Sequence, residues 1–430
     1  MKVEGVRLYG ADDLRLETFE LPEITDEEIL VRVVTDSICM STYKLLKQGA
    51  AHKRCPKDVA EHPVLVGHEL SGDIVKVGRR WQGEFRPGEK FALQPALNYQ
   101  GRLDSPGYSY RWCGGAASYC IMPHEVMELG CLLHYGGAAY FDASLGEPMS
   151  CIVGGYHAMY HTNKQNYEHA MGIRPGGSVL ILGGCGPMGL GAIEYPLTME
   201  RRPARIVVTD VDEGRIARAK SLVTPERAAA AGVELVYVNA SGEAGTAESL
   251  LALTGGKGYD DVLVFAPIRP LAELGDALLG FDGCMNFFAG PTDSQFRALI
   301  NLYNCHYTST HILGSTGGNT DDLRESLRLS AEGSLRPAVM VSHICGIDAV
   351  AETVAMLPQL RAGKIVSYPN LHLPLTAIAD FEKLGRTDPM FAALHRSCET
   401  HQGLWNAEAE GILLRSFGVA AGSPEVPHGV

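Results

Sequence analysis

The sequence has no long uninterrupted apolar run. Its longest apolar stretch, Val179 to Ile193, is broken by glycines and a proline, so it does not read as a membrane-crossing helix. The N-terminus, Met1 to Leu8, lacks the charged-then-apolar plan of a secretory leader. Positive charge is scarce: 37 Lys and Arg stand against 50 Asp and Glu, a formal net charge of −13. That balance argues against nucleic acid as the main partner, because a phosphate backbone needs a positive contact field. Cysteine forms no framework, since the eleven are odd in number and follow no short regular spacing. A reducing, cytoplasmic setting is therefore expected. No internal repeat or low-complexity segment stands out.

What remains is ordinary globular text. The 430 residues, 46% apolar and 20% charged, with 49 glycines, predict two or three domains with many turns. From Val3 to about Met122, short alternating apolar runs such as Ile29 to Val34 and Gly72 to Val77 are separated by Gly and Pro, which predicts a compact β-rich domain. From about Val179 the pattern changes to βαβ units. Apolar strands are predicted at Val179 to Leu182, Arg205 to Thr209, Leu235 to Val238, Asp261 to Phe265 and Cys284 to Phe288, with helical or loop text between them. A doubly wound parallel sheet follows from that alternation. Beyond Thr316 the reading gives a helix over Asp321 to Glu332, a strand over Ala338 to Ser342 and a helix over Ile347 to Leu360. The tail from Phe381 to Phe417 reads as helical before a Gly/Pro-rich terminus.

Gly184, Gly186 and Gly189, with Pro187 and Met188 between the last two, stand directly after the apolar run Val179 to Leu182 and open a helical stretch. In that context the first glycine permits a tight turn, the second lets backbone approach a pyrophosphate, and the third allows close helix–strand packing. The second strand ends at Asp210, roughly 20 residues further on, where a carboxylate can accept from the ribose hydroxyls of an adenosine. A carboxylate there repels a 2′-phosphate, so NAD(H) is favoured over NADP(H). Arg215 keeps the phosphorylated cofactor open as the lesser option.

Cys39 follows the run Ile29 to Val34, and His68 and Glu69 follow Val64 to Gly67, so a thiolate, an imidazole and a carboxylate can converge at strand ends. Those donors suit a catalytic Zn²⁺ with a position left for water or substrate. Glu147, between Gly146 and Pro148, is the candidate fourth ligand. Taken singly, each has a bland reading as a core thiol, a turn histidine or a surface acid. Their order and context decide otherwise: Gly67-His68-Glu69, Ser41 two residues after Cys39, and Glu147-Pro148 all precede the nucleotide turn.

This arrangement resembles the zinc-containing medium-chain dehydrogenases of the sorbitol dehydrogenase group. Gly114-Gly115 before Tyr119 is similar to the family's glycine-led strand, and Arg361 to Tyr368 to its closing segment. The resemblance implies an α/β protein. Residues 1–155 and 318–430 would form a GroES-like catalytic domain with a C-terminal helical extension, and residues 156–317 a Rossmann NAD-binding domain. It further implies zinc on Cys39, His68 and Glu69, zinc or its water on Glu147, proton relay by Ser41, and a homodimer or homotetramer. Ser41-Thr42-Tyr43-Lys44, Gln94 to Tyr99, Pro106-Gly107-Tyr108-Ser109-Tyr110, Tyr140-Phe141 and Leu404 to Glu410 are similar to a longer branch of that family, the L-sorbose-1-phosphate reductases.

Two departures from the family pattern are legible. Many members carry a four-cysteine lobe for a structural zinc between the metal-binding histidine and the glycine-led strand. Here that interval holds only Cys113, with Cys120 inside the strand, so one catalytic zinc and no structural zinc is expected. The position often filled by a relay histidine is Lys44. Lys44 also heads a basic cluster with Lys47, His52, Lys53, Arg54 and Lys57 in an otherwise acidic chain. An anionic substrate such as a sugar phosphate is the reading, with Lys44 first and His52 with Arg54 second as phosphate contacts. The alternatives are a dehydrogenase of unphosphorylated polyols or alcohols, a zinc-free reductase of the same superfamily, and a non-enzymatic nucleotide-binding redox sensor using Cys39.

Overall fold

The computed structural model describes residues 1–360 and 362–419. The chain divides into two compact units, one built from Met1–Glu147, Ser330–Glu332 and Val341 onward, the other from Pro148–Leu329 and Gly333–Met340.

The first unit is organised around the strand Ile29–Ile38, which is buried along its whole length. Alternate side chains of a strand point to opposite faces, and this one feeds two cores. Ile29, Val31 and Val33 pack with Leu70, Ile74 and Phe91, while Leu30 packs with Val3, Val75 and Ile121. Arg32, inside this apolar strand, is tolerated because its guanidinium donates to buried Asp73 Oδ2 at 2.6 Å. The strand lies within an eight-stranded sheet in the order Thr376–Ala377, Val341–Gly346, Lys364–Tyr368, Ile29–Ile38, Leu70–Val77, Lys90–Leu93 and Leu132–His134, with Tyr119–Met122 also pairing to Ile29–Ile38. A smaller sheet joins Lys2–Gly10 to Asp13–Glu20 and Val64–Leu65.

The second unit carries a six-stranded sheet in the order Glu234–Asn239, Arg205–Asp210, Ser178–Leu182, Tyr259–Val264, Leu279–Phe287 and His311–Leu313, every neighbouring pair parallel. Within these strands, residues 179–182 and 206–208 are continuous apolar runs because a parallel sheet is buried on both faces. The strand order reverses direction between Ser178–Leu182 and Tyr259–Val264, which is where an open α/β sheet leaves a crevice at its carboxyl edge.

Three expectations need adjustment. Ala338 and Val339 lie not in a strand but in a 3₁₀ turn, Pro337–Met340, and the strand is Val341–Gly346. Proline supplies no N–H to a ladder, which favours a turn there. The helix expected over Ile347 to Leu360 is a 3₁₀ turn, Ile347–Ala349, followed by a shorter helix, Val350–Met356. The tail is three helices, Phe381–Leu384, Pro389–Thr400 and Ala407–Ser416. Asp388 and Asn406 restart it by accepting from Met390 N and Ala409 N at the new N-termini. Arg361, at the head of the expected closing segment, and the Gly/Pro-rich terminus after Val419 lie outside the described residues.

Candidate active site

The strand Ile29–Ile38 hands over directly to Cys39, an extended residue that caps the helix Met40–Gln48. One turn of that helix brings Ser41 back over Cys39, with Ser41 Oγ 3.0 Å from Sγ. His68 follows Gly67, whose φ of +90° and contact with Asp36 leave no room for a side chain: a Cβ there would lie 2.3 Å from Asp36 Oδ2. This is the physical reason for a glycine before the histidine. Beyond it, Glu69 N–H donates to Asp36 Oδ1 at 3.1 Å, which sets Glu69 against the strand that ends in Cys39.

The result is a cluster in which one donor atom each of Cys39, His68 and Glu69 lies within 4.8 Å of the others. A tetrahedral Zn²⁺ with bonds of about 2.0–2.3 Å fits donors of this kind and spacing after small side-chain rotations. Burial holds the His68 imidazole below its ordinary value, keeping it in the neutral form that ligates metal, and its Nδ1 is buried with no partner. Burial raises the Cys39 thiol, opposed by the Lys364 charge, so a cation at this point is what would draw off its proton.

Glu69 is held from behind. Lys364 Nζ donates to both of its carboxylate oxygens, and Ser37 Oγ donates to Oε2. Lys364 is itself buried. It arrives through register: Lys364–Tyr368 runs antiparallel to the end of Ile29–Ile38, with Ile365 opposite Ile38. Glu147, on the first turn of the helix Gly146–His157, stands outside the three-donor cluster. Burial, then the negative charge of Glu69, push its carboxyl up to about 7.

The basic cluster separates into two groups. Lys47 pairs with Asp12 at 2.6 Å, and Lys57 Nζ donates to Ala50 O. Arg54 and His52 instead close on Tyr108: the guanidinium carbon is 5.3 Å from the ring centre, and the imidazole stacks on it at 5.6 Å. The Tyr108 hydroxyl in turn lies 3.4 Å from His68 Nε2. Lys44, half-buried on the helix after Cys39, contributes charge at His52.

In the second unit, Gly186 caps the helix Pro187–Glu194, with Met188 in its first turn. A Cβ on Gly184 would meet Ile181 and Val208, and one on Gly189 would meet Gly184 O at 2.2 Å, whereas nothing lies within 4 Å of one on Gly186. The turn is thus closed on its protein side and open at Gly186. Such a cradle, with the free N–H groups of a helix start, fits a dinucleotide pyrophosphate. Asp210, at the end of Arg205–Asp210, accepts from Cys185 N and Val211 N at 3.2 and 2.8 Å, which fixes its carboxylate beside the turn. Arg215 is exposed on the following helix, Glu213–Leu222.

Ser37, Asp36, Lys364 and Tyr108 escaped the sequence reading as site residues. Tyr108 and Lys364 lay inside segments noted for family likeness, but only packing and register bring them to the ligands.

A glycine cradle for a dinucleotide in one unit and a thiolate–imidazole–carboxylate cluster in the other define a nicotinamide-dependent oxidoreductase of the metal-binding class. The chain matches the model of the alcohol dehydrogenase GroES-like domain over residues 25–130 and that of the zinc-binding dehydrogenases over residues 187–332. It is 49% identical to the Escherichia coli K12 protein YggP (98% of this chain, 99% of that one). It is 46% identical to a mannitol-1-phosphate 5-dehydrogenase of Aliivibrio fischeri (96% and 97%). It is 44% identical to an L-sorbose 1-phosphate reductase of Klebsiella pneumoniae (95% and 97%). The fold is shared with 2R,3R-butanediol dehydrogenase of Bacillus subtilis, with a TM-score of 0.69 at 18% identity over 85% of this chain and 99% of the other. The protein belongs to the zinc-binding medium-chain dehydrogenases, in the sorbitol dehydrogenase group, and is a dehydrogenase.

Proposed function

We propose that this dehydrogenase interconverts a ketose phosphate and a polyol phosphate, using one zinc ion held by Cys39, His68 and Glu69 and NAD(H) held by Gly184, Gly186, Pro187, Met188, Gly189 and Asp210. The observation that carries the reading is the approach of Arg54 and His52 to the ring whose hydroxyl reaches His68, since it puts a guanidinium, with a neutral imidazole able to donate a hydrogen bond, beside the metal-competent cluster. The sugar phosphates named in the two relatives are of the same chemical class.

When bound, zinc supplies Lewis-acid polarisation of the substrate oxygen. The remaining work falls to the chain. Ser41 Oγ, 3.0 Å from Cys39 Sγ and 3.2 Å from His68 Nε2, is placed to pass the proton of the substrate hydroxyl. Lys364 and Ser37 fix the orientation of Glu69 and offset its charge. Glu147 orients water or exchanges with it as substrate enters. Arg54 and His52, with Lys44 behind them, bind the phosphate; the packing on Tyr108 moves Arg54 ahead of Lys44 in that role.

The eleven free cysteines support a cytoplasmic setting, and no helix among the described residues is long and apolar enough to cross a membrane. The edge strand His311–Leu313, together with the exposed Leu299, Leu302, Tyr303 and Tyr307 that precede it in the chain, supports a homodimer or homotetramer.

The test is a turnover panel pairing L-sorbose 1-phosphate with L-sorbose, and mannitol 1-phosphate with mannitol, each with NAD(H) and NADP(H), on protein of measured zinc content. The expected result is about one zinc ion per chain and at least tenfold higher kcat/KM for the phosphorylated member, about 1.4 kcal/mol of transition-state binding. Equal turnover of both members would remove the phosphate from the proposal.

A further inference from the structure

Tyr108 is 4% exposed and belongs to an apolar cluster with Leu45, Val66 and Cys345, so its plainest role is to fill space. Its surroundings ask for more. The turn that carries it is pressed on the metal-competent loop: Gly107 has φ +75°, and a Cβ there would lie 2.2 Å from Gly67 O. That contact brings the Tyr108 hydroxyl 3.4 Å from His68 Nε2, the atom that Ser41 Oγ approaches to 3.2 Å. The ring is also loaded with cations and imidazoles. Arg54 sits 5.3 Å from its centre, His52 stacks at 5.6 Å with planes 13° apart, and His68 tilts on it at 4.9 Å. Arg54 is steadied further by Ser105, its Nη1 lying 3.4 Å from the hydroxyl.

A space-filling phenol needs neither a hydroxyl at the reacting centre nor a guanidinium on its ring. Tyr110, two residues on, shows the contrast: its hydroxyl is buried without a partner, and it packs against the other core of the unit. A buried hydroxyl left without a partner costs free energy, so Tyr110 is the tyrosine that merely fills space.

We propose that Tyr108 is a substrate-positioning residue with two separable parts. Its hydroxyl, beside His68 Nε2, hydrogen-bonds the reacting oxygen of the substrate. Its ring is the platform that holds Arg54 and His52 at a set distance from that oxygen, so that the enzyme selects substrates by the separation between reacting carbon and phosphate. The second part rests on the sugar-phosphate reading above; the first does not.

The experiment compares Tyr108→Phe, Tyr108→Leu, Arg54→Gln and Tyr110→Phe with the unaltered enzyme. It measures kcat and KM for L-sorbose 1-phosphate and L-sorbose at saturating NADH, bound zinc, and calorimetric binding of inorganic phosphate to the zinc-loaded protein. Tyr108→Phe keeps the ring and should lower kcat for both sugars by about 10–100-fold, as expected for one hydrogen bond to a group gaining charge. It should leave phosphate binding and zinc content unchanged. Tyr108→Leu should add a rise of about tenfold or more in KM for the phosphorylated sugar alone and weaken inorganic phosphate, a defect that Arg54→Gln reproduces without the kcat loss. Tyr110→Phe should resemble the unaltered enzyme.

Full kcat in Tyr108→Phe, or zinc loss in that variant, overturns the hydroxyl role. Equal losses for both sugars in Tyr108→Leu overturn the platform role. If the unaltered enzyme shows no preference for the phosphorylated sugar, the phosphate reading fails by itself, and Tyr108→Phe still decides the hydroxyl.

Discussion

Cys39 does two jobs with one backbone position, ending a buried strand and capping the helix that returns Ser41 to its sulfur. Replacing it by serine exchanges a soft donor for a hard one at a buried point. Cys39→Ser should lose most bound zinc and at least about a hundredfold in kcat while the far-ultraviolet circular dichroism stays unchanged; full zinc and full rate would remove Cys39 from the ligand set. Lys364 poses a subtler question, because it binds the carboxylate that the metal would share. Lys364→Met leaves Glu69 buried without its counter-charge, and zinc affinity measured by chelator competition should change by about 10–100-fold. At the nucleotide turn, Asp210→Ala should weaken NADH binding more than NADPH binding; an unchanged ratio would show that Asp210 does not choose between them.

At the scale of elements, the tail does more than extend the chain. Glu410, near the start of the helix Ala407–Ser416, accepts from Tyr140 N and Phe141 N at 2.6 and 2.9 Å, the first N–H groups of the helix Tyr140–Ser144. An acid at a helix N-terminus is stabilised by the free donors and the dipole there. Tyr368 OH donates to the same carboxylate at 3.1 Å, and Trp405 Nε1 donates to Tyr368 OH at 2.8 Å. Tyr140 OH then reaches Asp73, the partner of Arg32. One buried polar chain thus fastens the tail to the central strand and to the helix just before Glu147. Trp405 is 1% exposed, and Trp405→Ala should cost about 3–5 kcal/mol in denaturant unfolding, far more than the change of an exposed tail residue such as Glu399. A loss under 1 kcal/mol would mean that the tail is not docked in this way.

At the scale of the whole molecule, that fastening carries a pH signature. Burial pushes the Glu410 carboxyl up to about 7. Burial and then the charge of Glu410 push Asp142 up to about 8. Both values are raised above those of the unfolded chain, near 4, so between these limits the folded protein binds more protons than the unfolded one. Their contribution to stability is present below about pH 4 and is lost as pH rises through 7 and 8, with a slope of up to about 1.4 kcal/mol per pH unit for each group. The unfolding midpoint should therefore fall from pH 6 to pH 8.5, and Glu410→Gln should flatten the fall. A steepened or unchanged slope in that variant would contradict the assignment.

The nucleotide turn and much of the parallel sheet were legible because their signals are local. An apolar strand, glycines at fixed offsets and an acid at the next strand end are determined by neighbours in the chain, through allowed backbone angles and the burial of both sheet faces. The candidate metal donors Cys39, His68 and Glu69, which the fold brings within 4.8 Å of one another, were legible for a similar reason, since each sits at the end of a strand-like run. The tertiary structure decided what surrounds them. Lys364 lies 295 residues from Glu69, and no local rule pairs the two; the register of Ile365 opposite Ile38 does. Tyr108 reads as one more apolar residue in a turn until Gly107 packs on Gly67, and Arg54 reads as one cation among several until it meets that ring. Sequence alone determined which chemistry the chain can carry, because donor types and short spacings survive without a fold. Only packing decided which charges reach that chemistry, because distance between remote segments is set by sheet register and by the fit of buried side chains.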